Sequence, residues 1–256
     1  MEKLQVSFSG GRSSAYMVHL INTIPQYHTK YQDVVYMFAN TGKELPGTLD
    51  FVNECSIRWG IDIIWIEYCE NYGYKVVTYE TASRNGEPFS ALIEKKKYLP
   101  NRVARFCTSD LKIRPMKKFL MKEKKWTHWD CALGIRYDEF RRYHKLKNSE
   151  GKDRWDYVFP LFDLKRTKAD VNWYWNHNEW DLSIPSEHGN CDFCFLKGLK
   201  KKIAQAKLMP DKLSWWIEQE NKTSGRFHNN FKMEVLLSLS NNPELFDDTI
   251  ECFCGD

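Results

Sequence analysis

Residues 4 to 14, Leu-Gln-Val-Ser-Phe-Ser-Gly-Gly-Arg-Ser-Ser, constrain the fold more than any other stretch of the chain. Apolar and polar side chains alternate from Leu4 to Phe8 as in a β-strand, and the run then meets paired glycines and hydroxyls that open a helix. Gly10 and Gly11 can adopt positive φ and let backbone N–H groups approach an anion, while a helix beginning at Ser13 aims its partly positive end at the same point. Ser9, Ser13 and Ser14 add hydroxyl donors and Arg12 adds a charged fork. The stretch reads as a phosphate cradle. Its spacing is neither the Walker pattern nor the Gly-x-Gly-x-x-Gly of dinucleotide enzymes.

Beyond this loop the chain alternates between strand and helix. Residues 34–39 form an apolar run ending in Asn40-Thr41-Gly42, residues 46–59 carry a helical pattern, and residues 61–67 read as a third strand. Residues 68–105 are less periodic, with a short helix around 89–97, and read as an insertion over the sheet edge. The pattern then predicts a helix over 111–124 with Pro115 in its first turn, a strand from Trp129 ending in Gly134-Ile135-Arg136, a charged loop over 137–142, a strand over 157–164 and a helix over 168–176. Such alternation implies right-handed crossovers, a parallel sheet, and ligands gathered at the carboxyl ends of the strands. The loops at Ser9 and Asn40 should therefore face one site. Beyond Pro185 the alternation stops and helices are expected over 196–208, 211–221 and 231–239. The expected organisation is an α/β domain over 1–185 and a helical, cysteine-containing region over 186–256.

Aromatic content of 15% and the absence of low-complexity runs argue against disorder. No apolar stretch approaches a membrane span and the chain enters a strand at once, so a cytoplasmic protein without a membrane partner is expected. The net charge of +4 is uneven, with basic runs at 95–97, 117–125 and 197–202. Each suits a solvated helix face, and beside Trp126, Trp129, Phe193 and Phe195 they also suit a nucleic-acid surface.

Eight cysteines without a secretion signal point away from disulfides and toward metal or redox use. Cys55, Cys69 and Cys131 lie in or beside regular elements and read as small hydrophobes. Cys191-x-x-Cys194 has the spacing of a metal site but needs further ligands, which Cys107 and either Cys252 or Cys254 can supply. By count, four thiolates suit a 4Fe-4S cluster or a zinc ion equally, and a redox-active or buried pair is the plainer alternative.

The first loop, Asn40-Thr41-Gly42, Leu133-Gly134-Ile135-Arg136 with Asp138-Glu139, and the cysteine set together resemble the adenine-nucleotide alpha-hydrolase superfamily, and within it the phosphoadenosine phosphosulfate (PAPS) reductase-like proteins, including phage-encoded forms. The resemblance covers residues 4 to about 200. It implies a five-stranded parallel sheet of order 3-2-1-4-5 and a nucleotide site at Ser7, Ser9, Gly10, Gly11, Arg12, Ser13, Ser14, Asn40, Thr41, Gly42, Gly134 and Arg136. It also implies Lys112 and Arg114 as cations for a charged substrate, and Arg12, Arg136 and Cys252 as catalytic residues. A 4Fe-4S cluster on Cys107, Cys191, Cys194 and Cys254 is favoured by the same resemblance, with zinc as the alternative.

Two departures shape the expected reaction. The pyrophosphatase branch typically reads Ser-Gly-Gly-Lys-Asp-Ser, whereas Arg12 and Ser13 stand here, which keeps the charge but leaves magnesium coordination open. The reductases proper lack the double glycine and mostly end in Glu-Cys-Gly, whereas this chain ends Glu251-Cys252-Phe253-Cys254-Gly255-Asp256. The implied activity is thus ATP alpha-phosphate cleavage with pyrophosphate release and adenylyl or thio transfer. The alternatives are PAPS reduction to sulfite with a thioredoxin-like partner, modification of tRNA or DNA docked on the basic residues 197–207, and nucleotide binding without chemistry.

Overall fold

The computed structural model describes residues 2–149, 151–185, 189 and 191–241. Strand β1 (Glu2–Phe8) leads through the glycine pair into α1 (Arg12–Thr23) and a short α2 (Pro25–Lys30). Strand β2 (Tyr31–Asn40), α3 (Pro46–Trp59) and β3 (Ile63–Glu67) come next, and the insertion then contributes β4 (Lys75–Val77) and α4 (Glu87–Lys96). Helix α5 (Phe106–Thr108) passes through a π turn at Ser109–Ile113 into α6 (Arg114–Lys122). After these stand β5 (Trp129–Leu133), α7 (Phe140–Lys147), β6 (Trp155–Val158), α8 (Pro160–Asp163) and α9 (Lys168–Asn176), and then α10 (Leu199–Leu208), α11 (Pro210–Thr223) and α12 (Val235–Asn241).

The sheet has the order β4-β3-β2-β1-β5-β6. All neighbours are parallel except β4, which runs antiparallel to β3. The parallel strands, numbered among themselves, keep the order 3-2-1-4-5. The sixth strand is a correction: β4 is three residues long, too short to leave a period in residues 68–105.

Side-chain alternation sorts the sheet into two faces. Leu4, Val6 and Phe8 of β1, with Tyr36 and Phe38 of β2, pack beneath α1, α3 and α9. The opposite face puts Val35, Met37 and Ala39 against Met116, Phe119 and Leu120 of α6. A third core joins Phe89, Leu92 and Ile93 of α4 to Phe193, Phe195, Leu213 and Trp216. The insertion and the helices after residue 190 are therefore one packed layer.

Two boundaries differ from expectation for reasons that proline supplies. The strand expected over 157–164 ends at Val158, because Pro160 cannot donate to the ladder and instead opens α8. The helix expected from residue 111 starts at Phe106, so Pro115 lies inside it and not in its first turn. A proline there removes one N–H and crowds the carbonyl of residue 111, and the chain yields by widening, the Arg114 N–H reaching back five residues to the Ser109 carbonyl. The charged loop expected over 137–142 is half helix, since α7 begins at Phe140.

Candidate functional site

Winding reverses between β1 and β5, so their carboxyl ends part and leave a crevice, the usual ligand position in open α/β sheets. The first loop lies there. Gly10 has φ +78°, and a Cβ on it would sit 2.6 Å from Thr48 Cγ2, so only glycine lets the loop rest on α3. From the other side Gly134 comes so close that a Cβ would be 2.9 Å from Ser14 Cα. Ser14 Oγ ties the turn by donating to the Gly11 carbonyl at 2.9 Å, accepting from the Ser9 N–H at 3.2 Å and meeting Ser9 Oγ at 2.8 Å. Among the described residues no side chain caps α1 at Gly11, which leaves the N–H groups of Ser13 and Ser14 for solvent or a ligand.

The two arginines take different positions. Arg136 Nη1 donates to Ser13 Oγ at 3.2 Å, which sets its charge against the cradle. Glu139 accepts the Arg136 backbone N–H at 3.0 Å and pairs with Arg142, while Asp138 accepts from Arg136 Nε at 3.0 Å. Arg12 instead makes a bidentate pair with Asp181, at 2.7 and 2.6 Å, and donates to the Leu182 carbonyl. Both guanidinium groups are thus ion-paired, and Arg136 is the one that also donates to a cradle hydroxyl. Ser7 faces the α6 side of the sheet, accepting from Gln5 Nε2 and lying 3.6 Å from Cys131 Sγ, away from the cradle.

The loop after β2 is held from below. Fully buried Asn40 gives both amide protons away, to Glu67 Oε1 at 2.6 Å and the Ser83 carbonyl at 2.8 Å, and its Oδ1 accepts the Gly42 N–H. Its side chain shapes the loop more than it offers contacts. Gly42, at φ +75°, passes within 2.9 Å of Gly86 N measured from where a Cβ would stand. Thr41 donates its hydroxyl and its N–H to Glu44 Oε2, both at 2.8 Å, and its Oγ1 lies 3.4 Å from Cys191 Sγ.

That last contact joins the loop to the cysteines. Cys191 also faces Glu44 Oε1 at 3.8 Å, and Lys112 Nζ donates to the same oxygen at 3.4 Å. Burial disfavours the Lys112 charge, but Glu44 beside it outweighs that and moves its pKa up, with the sulfurs of Cys191, Cys194 and Cys107 adding to this when they are ionised. Burial also pushes the Cys191 thiol up, with Glu44 adding to it, and pushes Cys107 up with help from Cys194. Burial thus disfavours ionisation of both thiols in the free protein. They suit ligands whose proton a metal displaces better than free nucleophiles.

Three expected cysteines thus lie within electrostatic reach of Lys112, and Cys252 and Cys254 lie outside the described residues. Arg114 does not join them: two residues past Lys112, it points away and pairs with Asp110 at 2.5 Å. Among the described residues no three His, Cys, Asp or Glu side chains gather closely enough for one metal ion. The basic residues 197–207 are not one solvated face either, since Lys202 is fully buried and donates to the Phe195 carbonyl.

Several site-shaping residues escape a reading of the sequence. Glu44, Lys43 and Asp192 are buried charges, Lys43 Nζ lying 3.2 Å from Asp192 Oδ2 beneath the Cys191 to Cys194 loop. The available signal is position: Lys43 and Glu44 stand directly after a glycine turn at a strand end, and Asp192 sits between two cysteines.

Fold and crevice together define an adenine-nucleotide alpha-hydrolase-type α/β domain. The profile of the phosphoadenosine phosphosulfate reductase domain matches residues 3–182, and the chain belongs to that family. It is 34% identical over 206 residues to a nin-region protein of Escherichia phage lambda, covering 77% of this chain and 67% of that protein. It is 27% identical over 175 residues to a protein of Methanocaldococcus jannaschii, covering 67% of this chain and only 35% of that protein. Among solved structures, the PAPS reductase from Candida auris in its phosphate complex aligns with TM-score 0.43 at 16% identity, over 71% of this chain and 75% of that one. The U34-tRNA thiolase NcsA from Methanococcus maripaludis with its [4Fe-4S] cluster aligns with TM-score 0.41 at 17% identity, over 100% of this chain and 76% of that one.

Proposed function

We propose that this protein cleaves ATP at the alpha phosphate and transfers the adenylyl group to an acceptor that then takes up sulfur. The carrying observation is the contact between Thr41 and Cys191, 3.4 Å, which supports reading the cysteines and the nucleotide crevice as one site. Phosphates would lie on the first-turn N–H groups of α1 and the hydroxyls of Ser9 and Ser13, with ribose and adenine toward the Thr41 to Gly42 backbone. An acceptor oxygen attacks the alpha phosphorus, the bond to the bridging oxygen breaks, and pyrophosphate departs. Arg136, fixed by Asp138 and Glu139, stabilises the charge that develops there. Arg12 acts through its pair with Asp181, holding the loop from outside. A sulfur nucleophile then displaces AMP.

Cys107, Cys191 and Cys194 would hold an iron-sulfur cluster. Each thiolate of a 4Fe-4S cluster takes its own iron, so the sulfurs need not converge on one point, whereas zinc draws every ligand to about 2.3 Å from a single centre. A cluster held there would supply an iron centre able to bind and activate a sulfur donor. Lys112 offsets the charge of the thiolates, and Glu44 fixes Lys112.

A paired assay tests the reading. Wild-type protein given ATP should release pyrophosphate, and Arg136→Met should lower that rate by about a hundredfold or more. Sulfite release from PAPS without pyrophosphate from ATP would replace this reading with the reductase one, and turnover of neither nucleotide would sink both. Anaerobic reconstitution with iron and sulfide should give visible absorption that Cys191→Ser abolishes, and a colourless zinc protein would end the cluster assignment.

A further inference from the structure

A second cavity opens on the other side of the π turn from Lys112. Tyr68, the residue after β3, forms part of its wall with α4 and the turn at Gly73. The side chains of Lys95, Lys96, Arg114 and Lys118 line it, against two carboxylates, Glu70 and Asp110. Asp110 is shared between Lys96 at 2.8 Å and Arg114 at 2.5 Å, and Glu70 lies 3.9 Å from Lys95. The cations outnumber the anions. Lys118 is drawn in because residue 73 is glycine: at φ +80° there, a Cβ would stand 2.3 Å from Lys118 Nζ.

An independent observation sits in the wall. Tyr68 is 8% exposed, and its hydroxyl is sealed from solvent without a hydrogen-bond partner among the described residues. An unpaired buried hydroxyl costs free energy, and here the side chain bearing it lines a cavity rich in positive charge. Cations in excess and an orphan donor share one requirement, an acceptor with several charged oxygens.

We propose that this cavity binds a tetrahedral oxyanion, a phosphate or sulfate group, with Lys118, Lys95 and Arg114 supplying charge and the Tyr68 hydroxyl one hydrogen bond. The site is separate from the nucleotide crevice: no residue of the Ser9 to Ser14 loop lines it. The anion can arrive free or as the phosphomonoester of a larger molecule, and the wall chemistry is the same for both.

Calorimetric titration of the full-length protein with inorganic phosphate, sulfate and AMP tests this. Wild type should bind inorganic phosphate or sulfate, and Lys118→Met should weaken that binding by about tenfold, the loss expected for one charge-assisted contact. Tyr68→Phe should weaken it several-fold and leave the anion-free melting temperature unchanged or raised, since it deletes an unpartnered group. Arg136→Met, in the crevice, should leave the event intact. Binding of the inorganic anions alone assigns the site to a free anion; additional AMP binding lost in Lys118→Met assigns it to a phosphomonoester as well. The proposal falls if phosphate and sulfate do not bind, if Arg136→Met abolishes their binding while Lys118→Met does not, or if Tyr68→Phe destabilises the anion-free protein.

Discussion

Lys43 and Asp192 are each no more than 3% exposed, which makes their pair the most consequential single contact beneath the cysteines. Removing both from water is costly, and the structure offsets it with their mutual attraction, a Trp216 indole N–H to Asp192 Oδ1 at 2.7 Å, and the Trp215 ring 4.8 Å from Lys43 Nζ. Burial still pushes the Asp192 carboxyl up, with Lys43 opposing. Lys43→Met leaves that carboxylate without its cation and should lower the unfolding free energy by about 3–5 kcal/mol. Asp192→Asn in the same chain keeps an acceptor for Trp216 and should recover much of the loss. Urea unfolding of the two variants decides it: a small loss in the single variant, or no recovery in the double, would show that the pair is dispensable.

Among the elements, α9 links sequence to site most directly. Thr167 and Asp170 form a reciprocal capping box, Asp170 Oδ2 accepting the Thr167 N–H at 2.7 Å. The helix it starts carries Trp175, whose indole donates to the Arg12 carbonyl at 3.0 Å and so holds the first loop from behind. Thr167→Ala should cost about 1 kcal/mol of stability, read from the shift in denaturation midpoint. An unshifted midpoint would mean that packing alone sets this helix. Helix α9 is legible in full because its cap and period agree, as is α3, whose left-handed Gly60 ends it where the pattern stops. The π turn is not legible, since Pro115 after a charged stretch reads as a helix start, and only packing of Phe106 and Leu111 in the insertion core extends the helix upstream. Likewise Gly10, Gly134 and Arg136 announce the crevice through local geometry. The Lys112, Glu44 and cysteine cluster is assembled from segments nearly 150 residues apart, and its charge pairings arise from the tertiary fold.

At the scale of the molecule, the layer formed by the insertion and the helices after residue 190 decides whether the site exists, because it supplies Cys107, Cys191, Cys194 and Asp192 at once. Its weak point toward acid is His228. The ring stacks on Phe231 with centroids 4.2 Å apart, and its Nδ1 accepts the Asn230 N–H at 3.3 Å, which requires that nitrogen to be unprotonated. Burial, with buried Lys202 and Arg102 adding repulsion, lowers its pKa from 6.5 to about 4. Above 6.5 neither the folded nor the unfolded chain protonates the ring, so this contribution to stability is complete. Between 6.5 and about 4 the unfolded chain takes up a proton that the folded one refuses, and stability falls until the folded ring also titrates. His228→Asn, which keeps a short polar side chain without the titration, should flatten the pH dependence of the unfolding midpoint across that window and leave the midpoint above neutrality nearly unchanged. If the variant and the wild type lose stability in parallel from pH 6.5 downward, the acid sensitivity of this layer lies in its carboxylates and not in His228.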